Sequence, residues 1–119
     1  MITLAINLYQ QLFDQGIIPR CLVTLDGDFV LTNSAFRKMF QLTGTHMELK
    51  NFNLFDVLSD ATGIHKERIR KDQLFYSDTD EAIEGKIIIL NNDGSKTKLD
   101  YLRSRVEMEN LSMLSFEWQ

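Results

Sequence analysis

The chain has 119 residues, enough for one domain that buries about two thirds of its surface around a single core. Hydrophobic residues make up 44% and charged residues 25%, a composition that excludes the disordered class. A formal net charge of −4 excludes the basic footprint of a nucleic-acid binder, and a lone cysteine, Cys21, excludes an internal disulfide framework.

In chain order, Leu4, Ala5, Leu8, Tyr9, Leu12 and Phe13 recur at helical spacing, and Gly16 with Pro19 stops the pattern. An N-terminal helix is expected, with residues 1–18 flanking a domain of residues 19–119. Ile2 and Ile6 add apolar surface on a second side, so the helix is expected either to meet a second copy or to fold wholly onto its own sheet. The apolar start contains Asn7, has no Lys or Arg before Arg20 and lacks a small-residue cleavage pattern, which argues against a signal peptide or a membrane span. With one cysteine, a reducing compartment is expected, and the cytoplasm is the natural one.

Arg20 to Leu25 and Asp28 to Thr32 read as two strands joined by the Asp26-Gly27 turn, with Phe29 and Leu31 alternating against Val30. Asn33 is placed to cap a helix over Ser34 to Leu42, in which Phe36, Met39 and Phe40 share one side and which Gly44 ends. Asn53 caps a second short helix, Leu54 to Leu58, where Asp56 favours the helix dipole. A polar helix is expected from about His65 to Phe75. Its basic residues Lys66, Arg68, Arg70 and Lys71 are interleaved with Glu67 and Asp72, the pattern of a solvated face.

Residues 77–81 read as a hydrated loop, and Asp78, Asp80 and Glu81 lack the spacing of a calcium loop, so no metal site is assigned. Gly85 to Leu90 is an Ile-rich strand, Asp93-Gly94 a hairpin signal, Lys96 to Val106 a long alternating strand, Glu107 to Asn110 a turn, and Leu111 to Trp118 the last strand. Strands at both ends with helices between them predict an α+β fold: one five-stranded antiparallel sheet with short helices on one face.

The run from Leu22 to Phe36 carries a family likeness. An apolar strand, the Asp26-Gly27 turn and a second strand lead into Asn33-Ser34-Ala35-Phe36, which resembles the opening of PAS domains. Gly44 falls where that family's first helix ends in glycine, and Glu84-Gly85 with Asn92-Asp93-Gly94-Ser95 resembles its central hairpin. The resemblance spans roughly Cys21 to Trp118 and reports fold, not ligand.

It implies a non-catalytic sensory module, excised from a longer bacterial signalling protein, whose ligand or dimer contact regulates an effector such as a histidine kinase or a diguanylate cyclase. A ligand pocket would draw on Phe36, Met39, Phe40, Leu54, Phe55, Leu58, His65, Ile69, Leu74, Ile87, Ile89, Leu99 and Tyr101, all but His65 being ordinary core types as well. Tyr101, Arg103, Ser104 and Arg105 would orient a charged ligand or face outward. His65 lies where heme-binding members carry an axial ligand, although the surrounding charge argues against a porphyrin. The reactive-cysteine motif of flavin photosensors is absent, which argues against covalent flavin chemistry; Cys21 reads as a small buried hydrophobe. Tyr9, Leu12, Phe13, Leu114, Phe116 and Trp118 are candidate homodimer contacts, with burial inside one chain as their other role. Two further readings stand beside the sensor: a ligand-free association module, and a small α+β barrel enzyme working from one acid or histidine in a cavity.

Overall fold

The computed structural model describes residues 17–43, 52–70 and 82–119. Strand β1 (Arg20–Thr24) turns into β2 (Phe29–Thr32), followed by helices α1 (Ser34–Met39), α2 (Leu54–Thr62) and α3 (Lys66–Arg70). Strands β3 (Ile83–Leu90), β4 (Lys96–Met108) and β5 (Leu111–Trp118) complete the chain. The sheet order is β2-β1-β5-β4-β3, antiparallel throughout, so β2 and β3 are the edges. The expected α+β architecture with a five-stranded sheet is present. The expected N-terminal helix, with Tyr9, Leu12 and Phe13, lies outside the described residues, as do Gly44 and Leu74.

The first hairpin closes at Gly27, whose φ of 87° suits glycine. A Cβ there would stand 2.6 Å from the Phe55 ring, and the Gly27 carbonyl accepts the Leu54 amide at 2.9 Å. The turn is thereby the seat on which α2 starts. Opposite β1 the second strand is bulged: Val23 pairs with Phe29 but Leu22 with Leu31, leaving Val30 as the extra residue. The bulge corrects the expected alternation. Phe29 packs on the inner core while Leu31 lies with Leu22 and Met113 in a second, outer cluster.

Asn33 caps α1 as expected, its Oδ1 accepting the Phe36 amide at 2.8 Å. The helix is shorter than its periodicity suggests. It stops at Met39 because the chain turns left-handed at Gln41, where the Leu42 amide donates to Arg37 O and the Gln41 amide to Lys38 O. Helix α2 runs four residues past the expected end, from the Asn53/Asp56 capping box to Gly63 at φ 76°. The last turn is also tighter than expected. β4 extends to Met108, which pairs with Leu111, and Glu109 and Asn110 alone make the reversal, both at positive φ.

The main core lies between the helices and the inner face of the sheet. Cys21, Val23, Leu114, Phe116 and Trp118 from the central strands meet Phe36 of α1, Leu54, Phe55, Val57 and Leu58 of α2, and Ile69 of α3. Trp118 is 0% exposed, stacked on Phe116 at 5.4 Å and edge-on to Phe40 at 5.4 Å. This placement corrects the assignment of Leu114, Phe116 and Trp118 to a dimer surface: the three point under the helices of their own chain and offer nothing to a second copy.

Candidate functional site

The residues expected to line one pocket are divided by the structure into three groups. Phe36, Leu54, Phe55 and Leu99 are buried in the packed core. Met39, Phe40 and Ile89 border a cleft of about 520 Å³ between the end of α1, the outer side of α2 and the β3–β4 turn, with Asp60 and Asp93 on its rim. Leu58, Ile69, Ile87 and Tyr101 border a different groove of about 390 Å³, within the range of small-molecule sites.

This groove follows the free edge of β3. Its helical wall is Leu58 and Thr62 of α2, Ile64 of the link and Ile69 of α3, and its sheet wall is Lys86, Ile87, Ile88, Leu90, Lys96 and Tyr101. The wall is built by local choices. Gly63 ends α2 in a left-handed turn and sits against Leu90, whose Cδ1 would be 3.0 Å from a Cβ at that position. The turn directs Ile64 toward the strand, and α3 then brings Ile69 back onto the core. Ile64 and Leu90 remain exposed and Ile88 is 51% exposed, so much of the apolar lining faces solvent.

Tyr101 sets the inner limit of the groove. It stands opposite Gly85 on β3 and Trp118 on β5, with its hydroxyl over the position that a Gly85 side chain would fill. Its ring lies 5.8 Å from Trp118 and 6.3 Å from Phe116. In the sequence the Glu84-Gly85 pair is marked only as part of a hairpin pattern. Its structural use, room for a tyrosine across the ladder, follows from a pairing register that sequence does not show.

Arg103 is also on the inner face, opposite Phe116 and Ile83, and only 1% exposed. Burial lowers the pKa of its guanidinium and the neighbouring Arg105 adds to the effect, while Tyr101 opposes it. Arg105 reaches Glu107 at 3.7 Å and Ser112 at 3.3 Å. Ser104 pairs with Ser115 across the β4–β5 ladder.

His65 does not join the pocket. It is exposed, its Nδ1 accepts the Glu67 amide at 3.2 Å, and its carbonyl accepts the amides of Arg68 and Ile69, so it acts as the cap of α3. Those residues do not fit an axial heme ligand, which needs an inward imidazole. Cys21 is buried, and desolvation pushes its thiol well above the ordinary range, outweighing the opposing effect of the Trp118 indole. Among the described residues no cluster of three His, Cys, Asp or Glu side chains is arranged to hold a metal, and no described helix is long and apolar enough to cross a membrane.

The β2-β1-β5-β4-β3 sheet with its helices on one face matches solved structures over nearly the whole chain. The PAS domain of BvgS from Bordetella pertussis has a TM-score of 0.74 at 13% identity, covering 96% of this chain and 84% of that one. The PAS domain of an HTR-like protein from Haloarcula marismortui has a TM-score of 0.70 at 14% identity, with 99% and 93% covered. This chain has the PAS fold. A PAS domain from a two-component sensor histidine kinase is similar as well, with a TM-score of 0.62, 12% identity and 100% and 98% coverage. No family model matches the sequence, and no curated protein does. The PAS likeness therefore rests on backbone topology and on the local turns and caps that produce it.

Proposed function

We propose that this PAS domain is the sensory input module of a longer signalling protein and that the groove along β3 is its ligand site. The observation that carries this reading is an apolar groove of about 390 Å³ whose far wall is Tyr101, a residue in ring contact with Trp118 near the end of the last strand. A ligand that displaces Tyr101 disturbs the end of β5. An effector attached after that strand, such as a histidine kinase or a diguanylate cyclase, receives the change as a shift in strand geometry. One solved neighbour is the PAS domain of a two-component sensor histidine kinase, which supports the kinase arm. No catalysis is assigned to the chain itself. Among the described residues Cys21 is in the core and His65 caps an exposed helix, so neither stands in a cavity where acid–base chemistry would use it.

Native mass spectrometry of the purified chain, with an absorption spectrum of the same sample, tests the proposal. Excess mass matching a discrete small molecule supports it, and a Soret or flavin band names a cofactor class. Bare mass that stays bare after incubation with a metabolite extract counts against the groove.

A second reading, a ligand-free homodimerisation module, is favoured by the outer face of the sheet, where Leu111 is exposed on the same side of β5 as the Leu22, Leu31 and Met113 cluster. A concentration-dependent dimer in sedimentation equilibrium that Leu111→Glu abolishes supports that reading, and a monomer at every concentration removes it.

A further inference from the structure

We propose that the β3 groove selects an amphipathic monoanion, an apolar chain ending in a carboxylate or similar head, through the paired field of Lys86 and Lys96. This deepens the reading of the groove as a ligand site and rests on it.

Three observations support the proposal. First, the ten lining residues include two lysines and no acid, although acidic residues outnumber basic ones by 17 to 13 in the whole chain. The neighbouring cleft has the opposite sign, with Asp60 and Asp93 on its rim and no lysine or arginine. Two adjoining hollows on one small domain therefore differ in the charge they attract. Second, among the described residues neither lysine is held in an ion pair, although Lys86 also borders a hollow lined by Glu84, Asp100 and Glu117 and Asp100 stands opposite it across the β3–β4 ladder. The two ammonium groups remain available to a ligand. Third, the β3 side of the ground between them is apolar, with Lys98 opposite Ile88 on β4. Lys96 pairs with Leu90, four residues along β3 from Lys86, which sets the two ends of the strip about 13 Å apart. Ile88 and Leu90 lie along that strip and Ile64 faces it from the link. Lysine stems lie readily on such surface while the heads stay in water, so a chain laid on the strip ends beside an ammonium in either direction. A polar dianion of small size gains little from the isoleucines, and a neutral hydrocarbon gains nothing from the lysines.

The test titrates the ¹⁵N-labelled chain with decanoate and with 1-decanol, both below the concentration at which decanoate forms micelles, and follows the amide spectrum. Both probes are expected to shift the amides of Ile64, Ile88 and Leu90, with decanoate bound about fivefold more tightly at low salt, the scale of one exposed charge pair. The preference should shrink as salt is raised. In the double variant K86Q/K96Q the preference should vanish while 1-decanol binding is unchanged, which also reports that the fold is intact. Equal binding of both probes to the unaltered chain overturns the charge selection and leaves the groove as an apolar site. A decanoate preference that survives K86Q/K96Q overturns it too, since the anion is then held elsewhere. No shift with either probe removes the ligand site itself, and this inference with it.

Discussion

Asn33 connects three parts of the chain through one side chain. Its Oδ1 accepts the amides of Arg20 and Phe36, and its Nδ2 donates to the Ile18 carbonyl at 2.7 Å, while Asn33 itself is 0% exposed. Alanine there removes a cap and strands buried donors, so Asn33→Ala is expected to cost about 2–3 kcal/mol in urea unfolding. Asn33→Ser keeps an oxygen for the cap and should cost less; equal losses would show that the cap contributes nothing. Cys21 makes the opposite kind of residue-scale prediction. Because burial raises its folded pKa above the ordinary 9.0, the neutral thiol is favoured in the folded chain, and its contribution is complete below that pH and lost as pH rises beyond it. Urea melts between pH 7 and 10 should show stability falling more steeply above about pH 9 for the parent than for Cys21→Ala. Parallel curves would show that the thiol does not titrate with unfolding.

At the scale of elements, two reversals use residues that dislike their own backbone angles. Gln41 closes α1 at φ 57° where glycine is the usual occupant, and Glu109 enters the last hairpin at φ 45°. Gln41→Gly and Glu109→Asn are each expected to stabilise the fold by about 0.5–1 kcal/mol, read as a raised urea midpoint at unchanged slope. A lowered midpoint would mean that the original side chain contributes more through its contacts than its backbone angle costs. These are also the places where the sequence was hardest to read. The Asp26-Gly27 and Asp93-Gly94 turns and the Asn33 and Asn53 caps announce themselves, since glycine and asparagine have few other reasons to stand there. Gln41 and Glu109 carry no such mark, so the periodicity alone predicts a helix on to Leu42 and a β4 that stops at Val106. Val30 is hidden for a related reason: a bulge is a property of a strand pair, and no single strand records it.

For the whole molecule, the alternating pattern of the last strand was legible but not what covers it. Leu114, Phe116 and Trp118 share a face in any reading, and only the sheet order, with β5 at its centre, turns that face inward. The expected pocket was too large for the same reason, because strand and helix periodicity mark what is apolar without separating packed side chains from those that border a groove. Gly85 offers a test of how the groove and the sheet communicate. Gly85→Val cannot be accommodated beneath the Tyr101 hydroxyl, so the ring must move. The variant is expected to reduce ligand binding in the groove severalfold and shift the Tyr101 and Trp118 amides together. A Tyr101 shift without one at Trp118 would break the proposed link to the end of the chain.

The placement of Trp118 has an optical consequence. It is the chain's single tryptophan, sealed from water and ringed by Phe36, Phe40, Phe116 and Tyr101. The domain thus carries its own fluorophore at the junction of core, groove and chain end, emitting toward the blue when folded. Its colour reports unfolding, and a change in its emission when a compound enters the groove is the expected sign, in one unlabelled cuvette, that the compound is felt at the last strand.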